Sequence, residues 1–336
     1  MHSTRSRWEA TDRRIGSEAE AHANAPVRRS ALHRLAGRVS DRIERRRGGP
    51  VPFRVPAVAD RPAVSIVIPT AGVSGDVDGS QRCYVETLLR SLVPTLGTED
   101  EVLVVSGPEA PPELEALVVA SAGSDPRVSH VVDDGGFSFS ARVNLGVAHS
   151  TRPVVLLLND DTEVLDRSWI HPMAVAATQP AVGAVGATLL YEDGTTQHAG
   201  LTTTEGLPTH AWAGWDPDDP VDGGVLQMDR RAWGVTGAAL SVSRSNWDEL
   251  GGFSLAFPVN YNDVDFCCKA AQMGLTNVVL GSVRLRHFET RSRPRELGES
   301  EVRALRSRWS HLLVPDPLVQ GTSALVDLRA DGADRG

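Results

Sequence analysis

The chain has 336 residues, 41% of them hydrophobic, and a formal net charge of -9. This length suits one large α/β domain or two modest ones. The charge is uneven, because residues 1–54 hold 13 arginines against six acidic residues, and the acidic remainder argues against a nucleic-acid partner. Three cysteines are too few for a disulfide framework.

The sequence shows no segment that would span or cross a membrane. No apolar run approaches the roughly 18 residues that a spanning helix needs. The N-terminus is charged and lacks the apolar core of a signal peptide. The sequence therefore predicts a cytoplasmic protein.

Residues 1–62 are predicted to form a basic, largely disordered extension. Residues 1–27 are polar and poor in large apolar groups, a composition typical of disorder. Within 30–47, apolar residues recur at helical spacing and arginines lie on the other faces, which predicts an amphipathic helix. This helix could contact an anionic membrane surface at the inner face of the membrane, or a partner. We favour packing on the chain's own domain, because the apolar stripe has no aromatic anchor.

Strands and helices alternate four times in the first half of the chain, with short connections between them. This alternation predicts an α/β fold with a doubly wound, mostly parallel sheet in a single domain over 63–315. We expect the remaining residues, 316–336, to be a frayed tail. The predicted strands are 64–70, 101–107, 128–132 and 154–158, and the predicted helices are 84–96, 113–122 and 140–150.

The second half is less regular, and its longest loop is rich in Trp, Asp, Pro and Gly. That loop, 208–224, contains Trp212 and Trp215 and is predicted to be a lid or a binding loop. The region from Trp212 to Trp233 is predicted to contact the acceptor. The predicted strands here are 182–190, 235–242 and 278–285, and the predicted helices are 169–178, 245–250, one that begins within 258–267 and ends at Gly274, and 300–313.

Two adjacent carboxylates, Asp160 and Asp161, directly follow the apolar strand at 154–158. Burying both in a core would be very costly, so we expect them just beyond the carboxyl end of the strand, where open α/β sheets bind ligands. Carboxylates at that place suit a hard divalent cation that also holds a diphosphate. The alternative is a polar turn after a buried strand.

Three further groups of residues lie at strand ends or at a helix start. Asp263 falls in the first turn of a predicted helix, where an Asn or Asp is also a natural N-cap, and His287 follows the last strand. Thr236-Gly237 would let a ligand approach the backbone closely. Imidazole nitrogen and carboxylate oxygen can together bind Mn²⁺ or Mg²⁺, while a separate carboxylate could take a proton from a hydroxyl. Each group also has a purely structural interpretation: capping, packing or a surface position.

The chain resembles inverting, metal-dependent family 2 glycosyltransferases of the GT-A fold. It is most similar to the branch that includes bacterial cell-surface polysaccharide enzymes and rhamnosyltransferase-like enzymes. The order and spacing of seven segments carry the resemblance, which extends over 63–293. These segments are 64–70, 137–146, 156–164, 182–200, 235–238, 261–267 and 287–293.

The resemblance implies a role for each candidate residue. Asp161 would bind a divalent metal, Mn²⁺ or Mg²⁺, and His287 would complete the metal ligands. Asp160 would face the donor ribose, and Asp263 would be the catalytic base. The remaining candidates would line the donor pocket: Thr70 for the nucleotide, Thr236 and Gly237 for the sugar diphosphate.

The sequence departs from the family pattern at two places. Ser106 stands where members often carry an acid that reads the nucleobase, and Asn262 stands where the acid before the base is often Glu.

The resemblance implies transfer of a sugar from a UDP- or dTDP-type donor to a glycan or other hydroxyl-bearing acceptor, in cell-surface glycan synthesis. The alternative is a non-catalytic nucleotide-sugar or glycan-binding module, for which Ser106 would be the first sign. A nucleotidyltransferase is disfavoured, because the glycine-containing segment 71–76 has no Lys or Arg to hold phosphates.

Overall fold

The structure is a computed structural model that describes residues 2–24, 50–220, 224–288 and 298–313, together with residues 315 and 319. Within these ranges, no helix is both long enough and apolar enough to span a membrane. The helices are α1 (His2–Asn24), α2 (Tyr84–Leu92), α3 (Leu114–Ser121), α4 (Phe139–His149), α5 (Ile170–Ala177), α6 (Arg244–Leu250), α7 (Asn262–Gln272) and α8 (Glu299–Trp309).

Fourteen strands are described, and ten of them form one central sheet. The other four make two small hairpins, β2–β3 and β10–β11. The strands are β1 (Val64–Pro69), β2 (Ser74–Val77), β3 (Ser80–Cys83), β4 (Glu101–Ser106), β5 (Val128–Val132), β6 (Val154–Leu158), β7 (Thr162–Val164), β8 (Val182–Leu190), β9 (Thr196–His198), β10 (Leu201–Thr204), β11 (Leu207–His210), β12 (Arg230–Ala232), β13 (Ala239–Ser243) and β14 (Thr276–His287).

The central sheet runs in the order β12-β14-β8-β13-β6-β1-β4-β5, with β7 paired to β14 and β9 paired to β8. The four strands of the first half, β5, β4, β1 and β6, are parallel neighbours. Strand β13 is antiparallel to both of its neighbours, β6 and β8, whereas β8 and β14 are again parallel. The predicted α/β fold with a mostly parallel sheet is thus confirmed, and the antiparallel strands lie where the sequence is less regular.

Helices cover both faces of the sheet, which explains why central strands such as β6 and β8 are buried along their whole length. Along β6, Val154, Leu156 and Leu158 face one core, which also contains side chains of α2, α3 and α5. The alternating residues Val155 and Leu157 face a second core, formed with side chains of α4, α6 and α7. The period-two alternation of a strand therefore fills two separate hydrophobic layers.

Three predicted strands agree with the structure, and other elements differ. The last strand, predicted at 278–285, is longer at both ends and includes His287, and the helix predicted at 300–313 ends at Trp309. Strands β5, β6 and β8 have the predicted limits. Helix α2 ends at Leu92 rather than at 96, because Pro94 lies in a short 3-10 turn that follows. The strand predicted at 235–242 begins only at Ala239. Residues 235–238 lie beyond the carboxyl end of β6, whose last residue, Leu158, pairs with Ala239, so they have no strand partner there.

The prediction of disorder over 1–27 is wrong for the residues that the structure describes, 2–24. Three apolar residues of α1, namely Trp8, Ile15 and Ala19, are fully buried against the domain. Trp8 also donates from Nε1 to Asp248 Oδ1 at 2.8 Å. Spacings of seven and four residues place these groups on one helical stripe, which the polar average of the segment conceals. The amphipathic helix predicted at 30–47 lies outside the described residues, as does almost all of the tail predicted at 316–336.

Candidate active site

The first pair of predicted residues meets at the carboxyl ends of β1 and β6. These strands are parallel neighbours, with Ile66 opposite Leu156, so the residues that follow them lie side by side. Thr70 Oγ1 donates to Asp160 Oδ2 at 2.5 Å and accepts from the Gly72 backbone N–H at 2.9 Å. The Thr70 hydroxyl therefore has a fixed orientation and fixes the Asp160 carboxylate in turn.

The second pair, Asp161 and His287, is separated by 126 positions in the sequence. Strand β7 pairs with the end of β14, placing His287 opposite Thr162, one residue after Asp161. Asp161 Oδ1 lies 3.0 Å from His287 Nε2, and the Asp161 carbonyl accepts the Phe288 N–H at 2.9 Å. Asp161 is only 5% exposed. The predicted meeting of these two side chains at one edge of the sheet is present.

These two residues fit a divalent cation by their chemistry. A carboxylate oxygen and an imidazole nitrogen are ligands that Mn²⁺ accepts, and Mg²⁺ or Mn²⁺ is commonly held by few protein ligands plus phosphate oxygens. Burial and then the charge of Asp161 raise the pKa of the nearby Tyr84, which indicates a negative potential at this end of the sheet. Over the described ranges, no three or more His, Cys, Asp or Glu residues are arranged as a metal cage. The pair thus suits a cation whose other ligands come from a bound diphosphate.

The third predicted group, Thr236, Gly237 and Asp263, lies beside the first two. The Asn159 N–H donates to the Ala238 carbonyl at 3.0 Å, which joins the turn after β6 to the segment before β13. Gly237 N–H donates to Asp263 Oδ2 at 2.9 Å, and Val264 N–H donates to Asp263 Oδ1 at 2.7 Å. Backbone donors therefore hold the Asp263 carboxylate close to the Thr236-Gly237 segment.

The helix that carries Asp263 starts differently from the prediction. We expected an Asn or Asp to cap it, but the N-cap residue is Tyr261, which has a φ of 59° and makes no side-chain cap. A left-handed conformation at a residue other than glycine costs about 1 kcal/mol or more, so the surroundings must hold it.

A glutamate of helix α8 holds the two residues that precede Tyr261. Glu301, only 5% exposed, accepts hydrogen bonds from the N–H groups of Val259 and Asn260 at 3.0 and 2.9 Å. It also accepts from Asn260 Nδ2 at 2.8 Å. Glu301 thereby fastens the loop immediately before Asp263. The sequence pattern places Glu301 only within the helix predicted at 300–313 and does not reveal this role, because its partners are more than 40 positions away.

Another buried contact that the sequence reasoning missed supports Thr236. The Thr236 N–H donates to His198 Nε2 at 3.2 Å, and His198 Nδ1 lies 2.8 Å from His210 Nδ1. His198 is completely buried, and burial, followed by the charges of His210, Arg230 and His287, lowers its pKa well below the usual value. The imidazole is therefore neutral, with its Nε2 lone pair engaged by the Thr236 backbone.

The position of Ser106 shows how the chain fills the place of the expected nucleobase-reading acid. Ser106 is 2% exposed, and its Oγ lies 2.8 Å from His130 Nε2. Burial also lowers the pKa of His130. The hydroxyl is thus already partnered within the protein.

The predicted lid or binding loop is partly built into the fold. Trp212 is 4% exposed, packs in a small cluster with Ala199, Val225 and Leu226, and lies against the Arg230 guanidinium with 4.5 Å between the guanidinium carbon and the ring centre. Trp215 packs at the edge of the same cluster. This part of the loop forms a fixed wall, and its contact with an acceptor stays a prediction.

Comparison with known sequences gives one family match and two curated relatives. Residues 65–232 match the family model described as Glycosyl transferase family 2. The chain is 31% identical over 332 residues to the uncharacterised protein y4gI of Sinorhizobium fredii (strain NBRC 101917 / NGR234), covering 95% of this chain and 36% of that protein. It is 32% identical over 283 residues to the O-antigen biosynthesis protein RfbC of Myxococcus xanthus, covering 83% and 21%. The chain therefore spans well under half the length of these relatives.

Comparison with solved structures identifies two glycosyltransferases with a similar fold. A crystal structure of GalNAc-T7 with UDP, GalNAc and Mn²⁺ matches with a TM-score of 0.58 at 13% identity, covering 74% of this chain and 48% of that one. The mannosyltransferase PcManGT from Pyrobaculum calidifontis, in complex with GDP-Man and Mn²⁺, matches with a TM-score of 0.54 at 16% identity, covering 96% and 91%. At these identities the likeness establishes the GT-A glycosyltransferase fold.

Proposed function

This chain belongs to glycosyl transferase family 2, and from that premise we propose that it is a metal-dependent, inverting glycosyltransferase. It moves a sugar from a nucleotide-diphosphate sugar to a hydroxyl-bearing acceptor. The observation that carries the proposal is the approach of Asp161 Oδ1 and His287 Nε2 to 3.0 Å at the carboxyl edge of the sheet, beside Thr70–Asp160. Ligands bind at this edge in open α/β folds.

In the proposed reaction, Asp263 takes the proton of the acceptor hydroxyl as that oxygen attacks the anomeric carbon of the donor. The bond between the anomeric carbon and the diphosphate oxygen breaks, and the diphosphate leaves with the electron pair. Attack from the face opposite to the leaving group inverts the configuration at that carbon. Asp161 and His287 would hold a divalent metal, whose positive charge would stabilise the leaving diphosphate.

The neighbouring residues divide the binding of the donor between them. Asp160, held by the Thr70 hydroxyl, presents its carboxylate to the ribose. Thr236 and Gly237 line the sugar-diphosphate side, next to Asp263. We propose a UDP- or dTDP-type donor and a glycan acceptor in cell-surface polysaccharide synthesis, in keeping with the relative named as an O-antigen biosynthesis protein.

One observation favours a second candidate function, a non-catalytic nucleotide-sugar or glycan-binding module. Ser106 is paired with His130 at the position where the family pattern often has an acid that reads the base. If the base is not recognised there, donor binding could be too weak or too unselective for turnover. The two functions differ in one measurable property, the consumption of donor.

The decisive experiment is a donor screen with the full chain. UDP-, dTDP- and GDP-sugars would be incubated with and without Mn²⁺, and both hydrolysis and transfer would be followed by product mass. We expect Mn²⁺-dependent consumption of one donor class, which Asp161→Ala abolishes and Asp166→Ala, at an exposed acid, leaves unchanged. Binding of donors without any consumption, across a panel of glycan acceptors, would favour the binding module instead.

A peripheral membrane contact through the basic segment around 30–47 also stays a proposal, since that segment lies outside the described residues. Sedimentation with vesicles containing anionic lipid, compared with neutral vesicles, would test it. Equal distribution between the two kinds of vesicle would contradict it.

A further inference from the structure

The short strand β9 lies against the metal-binding pair. It pairs antiparallel to the end of β8, and its three residues are almost inaccessible, with Gln197 only 3% exposed. A glutamine buried this deeply is unusual unless both ends of its amide have partners. For Gln197, both partners belong to a single residue, His287.

The orientation of the Gln197 amide follows from the chemistry of its partners. Its two polar atoms lie 2.5 Å from His287 Nδ1 and 3.5 Å from the His287 carbonyl oxygen. A carbonyl can only accept, so the amide NH₂ faces it and the amide oxygen, Oε1, faces Nδ1. An amide oxygen likewise only accepts, so His287 Nδ1 must carry a hydrogen.

This hydrogen bond selects one tautomer of His287. A neutral imidazole with its hydrogen on Nδ1 has a lone pair on Nε2, and that atom lies 3.0 Å from Asp161 Oδ1. The amide nitrogen of Asn159, Nδ2, lies 3.4 Å from the same ring nitrogen. Because Gln197 keeps a hydrogen on Nδ1, a cation bound beside Asp161 can use the Nε2 lone pair while the hydrogen bond to Gln197 is kept.

We propose that Gln197 is a positioning residue that holds His287 as a metal ligand through Nε2. The inference rests on the proposed metal-dependent function and extends it to a residue that contacts neither metal nor substrate. Partners of this kind fix ring orientation and raise ligand basicity, and their loss typically weakens metal binding by about 10–100-fold. We expect a change of that size for Gln197→Leu, which keeps the volume but removes both polar contacts.

The first test measures Mn²⁺ affinity directly, as the loss of the free Mn²⁺ electron paramagnetic resonance signal during titration. Gln197→Leu should bind Mn²⁺ about 10–100-fold more weakly than the wild type, and Gln197→Glu should retain or exceed wild-type affinity. Gln179→Leu is the matched control, because the Gln179 side chain donates to the Val175 carbonyl of α5, just before the start of β8 and at the opposite end of that strand from β9. Wild-type affinity in a folded Gln197→Leu variant would overturn the inference.

Asp161→Ala separates this inference from the proposed function. If the wild type and Asp161→Ala bind Mn²⁺ with equal affinity, the proposed metal site at Asp161 and His287 is wrong. If Asp161→Ala loses binding and Gln197→Leu does not, only the role of Gln197 is wrong.

A second measurement does not depend on whether the leucine variant folds. In the metal-free wild type, long-range ¹H–¹⁵N spectra of ¹⁵N-histidine protein distinguish the two tautomers, and the His287 signals are those that His287→Gln lacks. We expect the His287 ring of the wild type to carry a hydrogen on Nδ1. In Gln197→Leu the preference of the hydrogen for Nδ1 over Nε2 should be lost, which a purely structural role would not produce. A His287 ring with hydrogen on Nε2 alone would overturn the inference.

Discussion

Asp12 in the N-terminal helix and Lys269, the only lysine of the chain, form a buried ion pair with 3.2 Å between Oδ1 and Nζ. Lys269 is completely buried and also lies 3.4 Å from Asp265, while Arg308 of α8 approaches the same two carboxylates. Burial raises the pKa of Asp12, but Lys269 and Arg308 outweigh this effect and lower it below the usual value. The network ties α1 and α8 to α7, the helix that begins beside the proposed base.

The first prediction concerns the stability that Asp12 provides. Asp12→Asn leaves Asp265 as the sole carboxylate for two buried cations, and breaking a buried pair typically costs about 3–5 kcal/mol. We expect a loss of about 3 kcal/mol in the free energy of unfolding, measured by urea denaturation at pH 7. Glu9→Gln on the same helix removes only an exposed pair with Arg5 and should change stability by less than about 1 kcal/mol. Equal stability of the two variants would mean that α1 is not anchored through Asp12.

This network also shows what sequence patterns can and cannot reveal. Apolar runs such as 154–158 predicted their strands to the residue, because both faces of a strand in a covered parallel sheet must be apolar. The disorder prediction failed over the described residues 2–24, because Trp8 and Asp12 find partners 240 and 257 positions later in the chain. The apolar stripe of α1 is visible in the local sequence, but the partners that bury it are not.

The candidate site likewise contains residues that the sequence could predict and residues that it could not. The edge of the sheet that gathers Asp160, Asp161 and His287 follows from strand direction and was predictable. The supports for these residues were not, because Gln197 and Glu301 are ordinary polar residues until the fold brings their partners to them.

The second prediction concerns the catalytic base. Asp263→Asn should reduce kcat about 10²–10⁴-fold, because the amide cannot accept the acceptor's proton, while binding of the donor is retained. Calorimetric titration of the donor and steady-state transfer rates would measure the two effects separately. Asp166→Asn, at an exposed acid bonded only to Ser168, is the control and should keep full activity. Turnover at the wild-type rate in Asp263→Asn would remove Asp263 from this role.

The third prediction concerns the loop that precedes Asp263. Glu301→Ala removes three hydrogen bonds to Val259 and Asn260 and releases the left-handed Tyr261, so the position of the base becomes less defined. We expect kcat to fall about tenfold or more, since small misplacements of a catalytic group are costly. Thermal unfolding should also show a loss of about 1–3 kcal/mol from the uncompensated donors.

A residue on the same helix turn provides the comparison for Glu301. Glu299 pairs only with Arg303 in solvent, so Glu299→Ala should leave both kcat and stability nearly unchanged. Full turnover in Glu301→Ala would show that the loop keeps its conformation without this carboxylate.

The fourth prediction concerns the dependence of stability on pH that His198 introduces. Burial, and then His210, Arg230 and His287, lower its pKa in the folded protein, whereas the unfolded chain has the usual value of about 6.5. Below that pH the unfolded state binds more protons than the folded state, so stability falls as pH falls. Between about pH 6.5 and 5.5 this one residue should cost roughly 1 kcal/mol.

Replacement by glutamine isolates the contribution of His198. In His198→Gln the side-chain oxygen can still accept the Thr236 N–H, but nothing at that position titrates. The free energy of unfolding, followed by denaturant titration from pH 7.5 to 5.5, should therefore decline less steeply than in the wild type. His149→Gln replaces an exposed histidine at the end of α4 and should keep the wild-type slope. An unchanged slope in His198→Gln would mean that His198 is protonated in the folded protein as readily as in the unfolded chain. A protonated ring has no lone pair, so its hydrogen bond from the Thr236 backbone would then be lost.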